Sequence, residues 1–81
     1  MFYTPDLVAE LEILALFNLA NVNEGIKVHH SATPQAIAAA QRLHEKALLT
    51  QVDGGYLTRL GLDAAEHAQA LLCILKAAET A

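Results

Sequence analysis

Leu43-His44-Glu45-Lys46-Ala47-Leu48-Leu49-Thr50, continuing as Gln51-Val52-Asp53-Gly54-Gly55-Tyr56-Leu57-Thr58-Arg59-Leu60-Gly61, is the stretch whose reading decides the architecture. Residues 43–47 read as the end of a helix, and 48–52 and 56–57 as two short strands around Asp53-Gly54-Gly55. An Asp-Gly pair between apolar strands is a strong hairpin signal, because both central residues of the favoured turn take positive φ. Thr58 then supplies a hydroxyl to cap a last helix running from about Arg59 to Ala78.

Working outward, Thr33-Pro34-Gln35 opens the helix that leads into this stretch, with a capping threonine and a proline suited to the first helical position. That helix, over 33–47, is expected to bury Ala36, Ile37, Ala40, Leu43 and Ala47. Its wet side would then carry Gln35, Ala38, Ala39, Gln41, Arg42, Glu45 and Lys46. Its alanines make it a strong helix former. Thr4-Pro5-Asp6 repeats the same start signal near the N-terminus. Leu7, Leu11 and Leu14 follow at helical spacing, widened by Val8, Ile13, Leu16 and Phe17, with Glu10 and Glu12 outside. This first helix should reach about Asn18 or Ala20. Between 21 and 31 the periodicity fails, and Ile26-Lys27-Val28-His29 alternates like a short strand. Together these signals describe a mainly α, α+β fold of three main helices and a small hairpin.

At 81 residues the chain is one domain, residues 1–81, with no repeat or linker. Domains this short bury a modest fraction of their surface, and pairing with a second copy is one route to stability. No run of ~20 apolar residues suggests a membrane span, and Asp6, Glu10 and Glu12 stand where a signal peptide would be basic. The single Cys73, set among Leu71, Leu72, Ile74 and Leu75, reads as a small core residue of a cytoplasmic protein.

The run from 43 to 68 resembles the terminal half of winged-helix regulators of the multiple-antibiotic-resistance type. There, too, a leucine pair (here Leu48 and Leu49) ends a helix, a hairpin wing follows, and an aromatic-Leu-Thr-x-x-Gly element (here Tyr56 to Gly61) opens the next helix. Over nearly its full length the chain also resembles a family of short gammaproteobacterial proteins of unknown function, some labelled DNA-binding. Glu24-Gly25-Ile26-Lys27-Val28-His29-His30, Ala39-Ala40-Gln41-Arg42-Leu43-His44-Glu45-Lys46 and Gln51 through Thr58 carry that match. The resemblance implies a winged-helix-like fold in a small cytosolic bacterial protein and adds little about mechanism; the leading functional expectation is nucleic-acid binding in transcriptional regulation.

A nucleic-acid reading would use helix 33–47 as the reader of double-stranded DNA. Thr33, Gln35, Ala38, Ala39 and Arg42 would face base edges, with Lys27, Lys46 and Arg59 on phosphates. Against it stand a formal net charge of −4, five Lys and Arg in all, and a wing without a cation. The alternative is a non-enzymatic protein–protein adaptor or dimerisation module on the same frame. The last helix carries two adjoining apolar stripes, one of Gly61, Ala65, Ala68, Leu72 and Leu75, the other of Leu60, Ala64, His67, Leu71 and Ile74. The first is the expected homodimer seam. His29, His30, His44 and His67 lack the local pairing of a zinc site, so no metal is expected. His67 and Cys73 stand six apart on one helix and do not face each other, and neither an enzyme nor a cofactor is expected.

Overall fold

The computed structural model describes residues 2–80. In chain order it contains α1 (Pro5–Leu14), β1 (Ile26–Lys27), α2 (Pro34–Glu45), β2 (Leu49–Gln51), β3 (Gly54–Leu57) and α3 (Arg59–Thr80). This is a mainly helical α+β, winged-helix-like arrangement, with no further helix among the described residues between α1 and α2.

A threonine starts every helix. Thr4 and Thr33 accept the N–H of the residue three positions on, Leu7 and Ala36, each at 3.2 Å, ahead of a proline in the first turn. Thr58 does more: its Oγ1 accepts from Gly61 N at 3.0 Å and donates to Ala47 O at 2.6 Å, tying the start of α3 to the end of α2. α2 stops at Glu45 rather than Ala47. Ala47 takes φ 65°, and Leu48 N donates back to Leu43 O at 2.9 Å, the Schellman closure that reverses the chain. Ala47 is therefore exposed, not buried as the helical pattern suggested.

The three strands form an antiparallel sheet in the order β1-β3-β2. The hairpin tip is Val52-Asp53, one step earlier than expected, and both glycines lie within β3. The reason is the third strand. Ile26 and Lys27 pair with Gly55 and Gly54, and a Cβ on Gly54 would stand 2.6 Å from Ile26 O. Between Leu49↔Leu57 and Gln51↔Gly54 the register shifts by one residue. Gly55, at φ 72°, lies within that bulge, and Tyr56 N donates to Thr50 Oγ1 at 2.9 Å.

The core is Ile13, Leu14, Phe17, Ala39, Ala40, Leu43, Leu49 and Ala65. Small residues on α2 let α1 approach closely, so Ala39, expected on the wet side, is fully buried. α1 ends at Leu14, short of the expected Asn18 or Ala20, and α3 packs against its end. Gln69 Nε2 donates to Leu14 O at 3.2 Å and Phe17 O at 2.8 Å, satisfying carbonyls left without helical partners where α1 ends. Beyond Ala70 the core gives out, and every residue from 71 to 79 is exposed. Cys73 is among them, a correction to its reading as a core residue: α3 simply outruns what α1 and α2 can cover.

Candidate functional site

The buried face of α1 carries one charge. Glu10 is 5% exposed, although its sequence position suggested the solvent side. It falls on the same helical face as Ile13, Leu14 and Phe17, and α2 brings two cations to it. Arg42 Nε meets Glu10 Oε2 at 3.0 Å, and Lys46 Nζ bonds Glu10 Oε1. Arg42 also donates to the Asp6 carbonyl at 3.1 Å and lies 3.9 Å from the Asp6 carboxylate. Burial alone pushes the Glu10 carboxyl up, but hydrogen bonds from Lys46 and Arg42, and their charges, outweigh it and hold the group below the usual carboxylate range. The arrangement is a clamp between α1 and α2.

This clamp engages two residues expected to touch DNA. Arg42 and Lys46, one helical turn apart, both turn to Glu10, while Ala39 beside them is inside. Thr33 serves as the α2 cap; Gln35 is exposed but stands beside Ala9 and Glu12 of α1 in one groove and Pro5 and Asp6 in another. Lys27 on β1 and Arg59 at the start of α3 are exposed, and neither forms an ion pair among the described residues. Arg59 borders an open cleft of about 630 Å³ together with Val22, Asn23, Tyr56 and Asp63. The expected reader surface is thus divided: Arg42 and Lys46 inside the clamp, Thr33 and Gln35 beside α1, Lys27 and Arg59 free on other elements.

The expected dimer seam divides as well. Gly61 is buried against the Leu48 carbonyl, where a Cβ would come within 2.0 Å, and Ala65 is fully buried. Both are used inside the single chain, so the first half of the seam closes the fold itself. Ala68, Leu72 and Leu75 continue along the helix into an apolar wedge between α1 and α3. Val8, Leu11, Glu12 and Ala15 line one wall, and Ala68, Leu71, Leu72 and Leu75 the other, around about 210 Å³. Leu75 is 54% and Ile74 66% exposed, and Leu71 and Leu72 are open too. α1 contributes because burying Glu10, Ile13 and Leu14 rotates Val8 and Leu11 outward. Gln69 and Glu10 escaped the sequence reading. The only signals were Arg42 and Lys46 at i and i+4, and Glu10 at helical spacing from Ile13, Leu14 and Phe17.

His29, His30, His44 and His67 are all exposed, and among the described residues no three His, Cys, Asp or Glu side chains come together as a metal site would require. No described helix is long and apolar enough to cross a membrane. No curated protein and no solved structure matches the chain. A family model does, over residues 1–76, so the chain belongs to the family of unknown function DUF5669.

Proposed function

We propose that this protein is a non-enzymatic interaction module, which uses a winged-helix-like frame to hold open a leucine-lined wedge that receives an amphipathic helix. The observation that carries this reading is the second half of α3. Leu71, Leu72, Ile74 and Leu75 all lie open to solvent, and three of them face Val8 and Leu11 across an almost wholly apolar groove. A contiguous exposed apolar surface with a polar rim is the mark of a protein-binding site. An apolar groove between two helices suits a third helix that inserts residues at i, i+3 and i+4. His67 and Cys73, both exposed, point from different sides of α3, which gives them no shared chemistry.

The test is photocrosslinking in the cell. A benzoylphenylalanine at position 75 should form a covalent adduct with polypeptide, and the same group at Gln41, exposed on α2, should not. Absence of an adduct from position 75 sinks the reading.

A second reading, duplex DNA binding, draws on the winged-helix-like frame and on Thr33, Gln35, Lys27 and Arg59, all exposed. Its weakness is charge, since Arg42 and Lys46 already face Glu10. Affinity for duplex DNA that falls steeply with salt supports it, because each neutralised phosphate adds to the slope. No binding at low salt removes it.

A further inference from the structure

Resting on the wedge reading, we infer that the helix received is α3 of a second copy of this chain, the two copies related by a two-fold axis and each inserting Leu71 and Leu75 into the other's wedge. Surface area supplies the first argument. The chain exposes 5741 Å², whereas a compact monomer of 8.7 kDa exposes about 4,700 Å². The excess of roughly 1,000 Å² is close to the ~800 Å² that each partner loses in a standard interface. The radius of gyration agrees: 12.7 Å against about 11.7 Å for a compact chain of this length. The excess is summed over the whole chain, exposed Phe2 and Tyr3 included, and is of the size that one copy would remove.

Charge supplies the second argument. The wedge has a single ionised residue on its rim, Glu12 of α1. The exposed half of α3 offers a single cation, Lys76. Neither forms an ion pair among the described residues. In a two-fold contact, whatever residue i does to residue j, j does to i. In this arrangement a helix entering with its leucines down would set Lys76 against Glu12, and the symmetry would form that pair twice, the same surface being both knob and hole. An unrelated helix would need this pattern by coincidence; α3 carries it already.

Sedimentation equilibrium of the full chain at micromolar concentration should give twice the 8.7 kDa of the sequence. Leu75→Glu, at a site already half exposed, should leave far-UV helix content unchanged and yield the monomer mass. Lys76→Glu should weaken association about ten-fold, as two rim pairs become like-charge contacts. Glu12→Lys combined with Lys76→Glu should restore it. A monomer at all concentrations overturns the inference, as does a dimer indifferent to Leu75→Glu or to the charge exchange. The adduct mass separates the two levels of the argument. A position-75 adduct with a different polypeptide refutes the second copy while keeping the wedge, and no adduct at all removes both.

Discussion

Replacing Glu10 by glutamine removes one charge and almost no volume, and it isolates what the α1–α2 clamp contributes. In the native chain the carboxylate accepts from Arg42 and Lys46 while 5% exposed. Glutamine can accept only through its carbonyl oxygen and brings two donors that face cations. Hydrogen bonds to charged groups are worth about 1.5–3 kcal/mol each, and breaking a fully buried pair costs about 3–5 kcal/mol. Both cations keep a route to water, with side chains 28% and 49% exposed, which pulls the figure toward the lower range. The expected loss is about 2 kcal/mol at pH 7. For a domain of this size total stability is of order 4–12 kcal/mol, and the loss corresponds to a fall of about 8–16 °C in Tm. The pH dependence follows from the direction of the Glu10 shift. A carboxyl held below its unfolded value stabilises the fold above that unfolded value, and the contribution disappears as pH falls through the folded one. Urea unfolding followed by far-UV circular dichroism, run from neutral to strongly acidic pH, reads both quantities. The two proteins should differ at pH 7 and converge in acid. Equal stability at pH 7, or a gap that persists in acid, would refute the clamp. The same variant frees Arg42 and Lys46, so a DNA-binding role for them predicts tighter and more salt-sensitive duplex binding in Glu10→Gln than in the native chain.

Other substitutions probe the corners. Gly61→Ala sets a Cβ 2.0 Å from Leu48 O, a backbone atom that cannot turn aside, and should lower stability by about 2–3 kcal/mol in thermal unfolding. Thr58→Ala removes the cap on Gly61 N and the link to Ala47 O, with an expected loss of about 1–2 kcal/mol by urea unfolding. Ala47→Gly should do the opposite. The left-handed conformation at φ 65° costs an L-residue about 1–2 kcal/mol, partly offset by glycine's freer unfolded chain, so the midpoint of urea unfolding should rise modestly.

The hairpin and its neighbours were legible because their signals are local. Thr33-Pro34 and Thr58 mark helix starts by chemistry that acts within three residues, and Asp53-Gly54 announces a reversal whatever surrounds it. The tip shifted to Val52-Asp53 because β1, about 25 residues upstream, needs the bare backbone of Gly54 beside Ile26. No local pattern carries that requirement. The same distinction explains α1. Leucine spacing alone favoured a stripe through Leu7 and Leu11, but the face that wins is the one α2 can cover with alanines and two cations, and it includes Glu10. Hydrophobic periodicity finds a helix; which side it buries depends on what arrives from elsewhere.

That rotation links the clamp to the wedge. Turning Glu10 inward gives Arg42 and Lys46 an anion and, by the same rotation, turns Val8 and Leu11 out toward the exposed end of α3. The chain could have avoided the exposed surface by burying Leu7 and Leu11 and leaving Glu10 in water, yet then Arg42 and Lys46 would lose their partner and Ala39 and Ala40 would face bulkier side chains. An α1 fixed by charge on one side and left apolar on the other is what a module needs if its frame is to stay rigid while its leucines wait for a second surface. If the wedge receives a second copy as proposed, loosening the clamp should weaken that association even though Glu10 lies outside the wedge. Glu10→Gln, tested by sedimentation at a temperature where it remains folded, should dissociate more readily than the native chain. A native dissociation constant in that variant would show that clamp and wedge act independently.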